Sequence, residues 1–324
     1  MTFPLFHTPG TIVFLDDDPD YLEMLALVLP REWSVELYLR PSDCVARLQA
    51  EPPQWEADAW AQQQIIDRWR EGAALIPQIL RYWDRNTARY DLTRVLVVDY
   101  SMPAMDGLQV LDGIVDWPGS RVLLTGQADE QIAVNAFNRG LIDQFLAKQS
   151  PDISRRLVDA LHRLMATGSE RQSRVWRSTL TPGQLAQLRN IDVANDIQHV
   201  AQRWVEHAVI GEPFGILGQE ANGTTSWLQL EPTARLDELA ELCEAAGMPA
   251  HEVIDVRSGR KLAALELAQS LGDRRPPQLG VAFGLGQGRD LVGALFTLDP
   301  AFTPDPAHSY ARWLASRPPR QVLD

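Results

Sequence analysis

Four short hydrophobic runs, at residues 11–15, 95–98, 121–124 and 144–147, each end on a polar side chain. Their length and branched aliphatic content predict buried strands. A fifth segment, 33–39, alternates apolar and polar positions and predicts another strand. Between these runs the apolar spacing shifts to three and four, which predicts helices. Asp18, Pro19 and Asp20 open one whose apolar face carries Tyr21, Leu22, Met24, Leu25, Leu27 and Val28. Pro41, Ser42 and Asp43 open a second, and others are predicted over 107–115, 130–139 and 153–165. Strand and helix in alternation predict an α/β fold with a doubly wound, parallel five-stranded sheet.

Two stretches break this rhythm. In residues 51–92, Pro52 and Pro53 interrupt the chain, and apolar residues then return in two rows at spacings of four and three. Trp55, Trp69, Ile76 and Trp83 make one row, with Gln62 in its empty place; Ala59, Ile66, Ala73 and Leu80 make the other. Such a stripe suits either helices packed on their own domain or a homodimer seam, and Pro77 should kink or split it. The second stretch starts near 166–169. Residues 170–180 predict a charged linker helix with Arg171, Arg174 and Arg177, and Thr181 with Pro182 starts an amphipathic helix running toward Val209. Beyond it, the pattern predicts an α+β domain with two β-hairpins: 214–217 with 227–230, turned at Asn222 and Gly223, and 281–285 with 291–298. Helices over 236–246, 261–271 and 307–315 and a strand over 253–256 complete it. The expected domains are 1–168 with the helical insertion 51–92, a linker helix at 169–190, and an output domain at 191–324.

Composition narrows the function. The net charge is −13 over 324 residues, and both halves of the chain are acidic. Nucleic-acid binding rests on basic patches, so that partner is disfavoured. Cys44 and Cys243 lie far apart with no second cysteine near either, which fits a reducing compartment and no zinc site. With no basic leader at the amino end and no run of membrane-spanning length, the expected location is cytoplasmic, away from any membrane.

The candidate chemistry lies where the strands end. Asp16 and Asp17, Asp99, Thr125 and Lys148 each follow one of the four runs, so a parallel sheet would gather them at its carboxyl edge, where open α/β sheets bind ligands. Converging carboxylates repel unless they share a divalent cation, and oxygen-only ligands suit Mg²⁺. Of 30 basic residues only Lys148 and Lys261 are lysine. A chain that otherwise uses arginine has kept a compact ammonium at position 148.

In order and spacing, these residues resemble the receiver domain of bacterial two-component response regulators. The likeness covers about residues 10–165 and is most specific around Asp99, where Met102, Pro103, Met105, Asp106 and Gly107 accompany it. It implies that Asp99 accepts a phosphoryl group from a histidine kinase. It also implies that Asp17 binds Mg²⁺ directly, with Asp16 acting largely through water and Ser101 adding its backbone carbonyl. Lys148 would meet a phosphoryl oxygen, and Thr125 would move toward another with Phe145 following as the switch aromatic. Gln149 departs from the pattern, since a proline usually follows the lysine. The 51–92 insertion lies away from the active edge.

No familiar output motif appears after residue 170. Gly284, Gly286 and Gly288 form a glycine-rich stretch, but a strand follows it where a phosphate loop would have a helix. Three output classes stay open: a protein-interaction or ligand-sensing domain, an enzyme with an unfamiliar site, and a diverged nucleic-acid binder using the arginines of 171–189.

Overall fold

The structure, a computed structural model, describes residues 3–103, 105–126, 130–166, 170–288 and 290–323. The expected boundary at 167–169 and the arginine at 289 lie outside them. Two compact units emerge, and neither is a continuous stretch of chain. One comprises Pro9–Trp60, Thr87–Ser169 and Ala311–Asp324; the other Met1–Thr8, Ala61–Asn86 and Glu170–Tyr310.

The first unit is built on a parallel sheet in the order Val322–Leu323, Ser34–Tyr38, Thr11–Leu15, Thr93–Asp99, Ser120–Thr125, Gln144–Ala147. Successive side chains point to opposite faces of a strand. Ile12, Phe14, Val95, Val97, Val122 and Leu124 therefore meet the helices Pro19–Val28 and Ile153–Ala166. Val13, Leu15, Leu96, Val98 and Leu123 meet Pro41–Gln49, Gly107–Gly113 and Glu130–Asn138 on the other face. This is the doubly wound arrangement expected, with one correction: the sheet has six strands where five were predicted. The sixth comes from the carboxyl end of the chain, where Val322 pairs with Leu37 and Leu323 with Tyr38. Polar contacts hold this tail in place. Arg320 donates to the carbonyls of Leu29 (2.9 Å) and Trp33 (2.8 Å), and Arg317 to Glu36 (2.8 Å) and Asp91 (3.2 Å).

Glu51 joins the two ends of the 51–92 detour. Its fully buried carboxylate accepts from Thr93 Oγ1 (2.6 Å), Trp117 Nε1 (2.9 Å) and Arg47 (2.6 Å), and also from the Thr93 amide. A buried charge is tolerated only when paired and hydrogen-bonded in this way.

The second unit contains an antiparallel sheet in the order Phe6–His7, Glu206–Gly211, Phe214–Gln219, Thr225–Pro232, Leu291–Thr297, Phe283–Leu285. Both predicted hairpins lie in it. Several other expectations need correcting. The helix expected to run to Val209 is two helices, Pro182–Arg189 and Ile191–Ala201, followed by the strand Glu206–Gly211. Asn190 ends the first helix and caps the second with its side chain. The strand expected at 253–256 is part of the helix Ala250–Arg257, and the helix expected from 261 begins with the strand Lys261–Ala263. Branched residues at Val253, Ile254 and Val256 favoured a strand locally, but Val253 and Val256 are buried in a helix that packs against its neighbour, so tertiary burial decided.

The insertion also differs from expectation. It forms the helices Pro52–Arg70 and Leu75–Arg85, with Pro77 tolerated in the first turn of the second. Ile66, Ile76, Leu80 and Trp83 are buried in the core of the antiparallel unit, so of the two uses open to the stripe, packing within the chain accounts for these residues. Gln62, the polar break in that stripe, is buried and accepts from Trp176 Nε1 at 3.0 Å. Trp176 belongs to the predicted linker helix, which spans Glu170–Arg177. This helix buries Trp176 completely and stacks it on Phe6 at 4.9 Å, while Arg174 and Arg177 are exposed.

Replacing Glu51 by Ala should cost about 3–5 kcal/mol of stability, because Arg47, Thr93 and Trp117 lose a shared buried partner; denaturant unfolding measures it. His207 gives a pH-dependent counterpart. It is buried beside Phe3, bonds to the Pro4 carbonyl at 2.9 Å, and burial pushes its pKa down to about 4. Above the usual histidine value near 6.5 neither folded nor unfolded chain carries the proton, so stability is undiminished. As pH falls from about 6.5 toward 4 the unfolded chain takes up the proton first, and roughly 2–3 kcal/mol is lost. Unfolding curves for His207→Gln should lack this component.

Candidate functional site

The carboxyl edge of the parallel sheet brings together the predicted acidic residues. Leu15 ends its strand and hands on directly to Asp16, which is buried, and Asp17, which is exposed; Asp99 ends the neighbouring strand. Carboxylate oxygens of Asp16, Asp17 and Asp99 all lie within 4.8 Å of one another. Asp18 closes the cluster as a cap, since its side chain accepts from the amides of Asp20 and Tyr21 and starts the helix Pro19–Val28.

Lys148 follows the strand Gln144–Ala147 and reaches back over the site. Its Nζ lies 2.6 Å from Asp16 Oδ2 and 2.9 Å from Asp99 Oδ1. The Lys148 amide donates to the Thr125 carbonyl at 2.7 Å, which fixes where the side chain begins. Gln149 is exposed, and the turn that contains it closes through the Ser150 amide on the Ala147 carbonyl at 3.0 Å, so the departure at 149 leaves Lys148 aimed at the carboxylates. Thr125 is buried at its strand end. Phe145, half-buried, pairs with Leu123, two residues before Thr125, and packs against the core on that face. Ser101 enters the site through its amide, which donates to Asp99 Oδ2 at 2.9 Å.

The electrostatics are those of charge held away from water. Burial pushes the Asp16 carboxyl up, and the Lys148 ammonium beside it opposes that shift only in part. Burial would lower Lys148, but its contacts with Asp16 and Asp99 outweigh this and hold its pKa above the ordinary lysine value. Asp99 Oδ1 is buried, and apart from the ammonium's charge it has no well-directed hydrogen bond. A buried oxygen whose close partner is an ammonium, beside two more carboxylates and no sulfur or imidazole, fits a hard divalent cation such as Mg²⁺. Asp16, Asp17 and Asp99 would hold it.

Gly107 explains the rest of the motif around Asp99. Its amide donates to the Tyr100 carbonyl at 3.0 Å, and Asp106 with Gln109 forms a capping box that starts Gly107–Gly113. A Cβ at Gly107 would stand 2.4 Å from the Asp99 carbonyl oxygen, so only glycine allows the chain to return so close to Asp99. The Ala104 position of this motif lies outside the described residues. One participant escaped the sequence pattern. Tyr21, assigned there to an apolar helix face, places its ring under Lys148 with Nζ 4.5 Å from the centroid. Its place one helical turn beyond the acidic cluster was the available signal.

No protein-family model matches the chain, and no curated protein sequence does either. Solved structures do. The response regulator LqsR of Legionella pneumophila superposes with a TM-score of 0.69 at 22% identity, covering 98% of this chain and 97% of that one. The fold is that of a response regulator. Isolated receiver domains also align with the parallel-sheet half. One from Methanospirillum hungatei does so at 16% identity over 49% of this chain and 94% of its own, with a TM-score of 0.31. Another from Clostridium thermocellum does so at 15% over 48% and 94%, also at 0.31. In this chain the acidic edge lies at the carboxyl ends of the parallel strands.

Gly107→Ala should destabilise the receiver fold by about 1–3 kcal/mol, since the added methyl must displace the strand end that carries Asp99. Unfolding in denaturant, compared with Gly113→Ala at the last residue of the same helix, where a Cβ would meet only Val45 at 3.8 Å, measures the difference.

Proposed function

We propose that this chain is a two-component response regulator whose receiver unit accepts a phosphoryl group on Asp99 from a phosphohistidine of a histidine kinase. The observation that carries this reading is the buried Asp99 carboxylate: one of its oxygens lies within 4.8 Å of oxygens of Asp16 and Asp17, and its Oδ1 lies 2.9 Å from the Lys148 ammonium. In the transfer, an Asp99 carboxylate oxygen forms the new P–O bond while the P–N bond to the donor imidazole breaks, and that imidazole nitrogen takes a proton. The product is an acyl phosphate. Phosphoryl transfer needs little from a protein beyond positioning and neutralisation of charge. A bound Mg²⁺ supplies part of that neutralisation. Lys148 supplies the rest from the chain itself, as a single compact charge suited to one phosphoryl oxygen.

Thr125 and Phe145 are the proposed relay. The hydroxyl-bearing strand end and the half-buried aromatic lie on adjacent paired strands and face the same side of the sheet. A hydroxyl drawn toward a new phosphoryl oxygen would leave space that the aromatic can fill. Ser101 is proposed to contribute its carbonyl to the cation. For the second unit, the acidic balance and the burial of Trp176 favour an interaction or ligand-sensing output over a nucleic-acid binder. Cytoplasmic residence follows from the kinase partnership, and no described helix is long and apolar enough to cross a membrane.

Incubation with a small acyl-phosphate donor and Mg²⁺ should give one base-labile, hydroxylamine-sensitive phosphoryl group per chain, read by intact-mass spectrometry. Asp99→Asn should abolish it, and removing the metal with a chelator should slow it roughly tenfold or more. Undiminished incorporation in Asp99→Asn would overturn the assignment.

A further inference from the structure

Lys148 carries the only ammonium in the candidate site, on a flexible four-carbon stem, so something must fix where that charge sits. Two of its contacts are the carboxylates of Asp16 and Asp99, at 2.6 and 2.9 Å. Both already have another duty, since each is among the oxygens that would hold a divalent cation. The third contact is the Tyr21 ring face, with Nζ 4.5 Å from its centroid. Hard cations of the Mg²⁺ type take oxygen ligands and leave aromatic faces alone. The ring is therefore the one partner of Lys148 that cation binding does not draw upon. It is half-buried and anchored on the first turn of Pro19–Val28, whose amino end is fixed by the Asp18 cap. A ring face attracts an ammonium most strongly where water is partly excluded, and Lys148 is only 20% exposed.

We propose that Tyr21 is a positioning residue: its ring holds the Lys148 ammonium beside Asp99 through a cation–π contact, so the charge is in place before a phosphoryl group arrives. This deepens the phosphoacceptor reading and rests on it for its purpose, though the contact itself can be tested without any phosphoryl donor.

The chain's two lysines make that test direct. Lys261, paired with Asp255 at 2.9 Å in the other unit, serves as an internal reference. The full-length chain would be trace-labelled with an amine-acylating reagent, and peptide masses would give the Lys148 to Lys261 ratio. Tyr21→Leu should raise that ratio about three- to tenfold, whereas Tyr21→Phe, which keeps the ring, should stay near the parent chain. If Tyr21→Leu does not fold, 4-fluoro- and 3,4,5-trifluorophenylalanine at position 21 weaken the ring face with little change of shape. The ratio should then rise stepwise with fluorination. Equal labelling in Tyr21→Leu and Tyr21→Phe, or a flat fluorination series, overturns the contact. In the second arm, with acyl-phosphate donor and Mg²⁺, the ring-weakened chain should be phosphorylated about three- to tenfold more slowly than Tyr21→Phe. Equal rates overturn the positioning role. Failure of the parent chain to take up phosphate would instead sink the phosphoacceptor reading, while the amine labelling would still decide the contact.

Discussion

The structure depends on keeping opposite charges together at the carboxyl edge of a parallel sheet, where water is scarce. Asp16, Asp99 and Lys148 are each mostly buried, and none would be tolerable there alone. Their mutual contacts make the edge stable, yet they leave Asp99 Oδ1 without a directed hydrogen bond. A fully satisfied cluster would have nothing to offer an incoming cation or phosphoryl group. Everything nearby serves to hold the arrangement: the Asp18 cap, the Lys148 amide on Thr125, and the close return of the chain permitted by Gly107.

This edge was legible in the sequence because strand ends and polar residues coincide there. A buried strand needs an unbroken apolar run, and the first polar residue after it must lie at the sheet's edge. Four such runs ending on Asp16, Asp99, Thr125 and Lys148 therefore fixed both topology and site. The insertion was less legible. A stripe such as Ile66, Ile76, Leu80 and Trp83 states that a helix face will be buried but carries no address for what buries it. Gln62 was a usable hint, because a polar residue in an apolar row asks for a specific partner, here Trp176. Two residues beyond the predicted sheet were also silent: Val322 and Leu323 take strand partners beside Arg317 and Arg320, whose contacts span nearly the whole chain length.

The second unit shows where local pattern yields to packing. Val253, Ile254 and Val256 favour extended structure by themselves, and a helix forms because Val253 and Val256 then reach a core that already exists. The run from Pro182 to Val209 looked continuous because apolar residues recur throughout it. Asn190 supplies the break, ending one helix and capping the next through its side-chain oxygen. Capping residues carry positional information that periodicity does not.

Chain path gives the last constraint. The chain leaves one unit for the other after Thr8, Trp60, Asn86, Ser169 and Tyr310. The strand that delivers Asp16 and Asp17 begins only a few residues after Phe6 and His7, which pair in the antiparallel sheet. A single cut near residue 168 would therefore leave neither half whole. The amino-terminal piece would carry Ile66, Leu80 and Trp83 without their core and lack the sixth strand. The carboxyl-terminal piece would lose an edge strand and two helices. Five crossings bind the two folds into one covalent path.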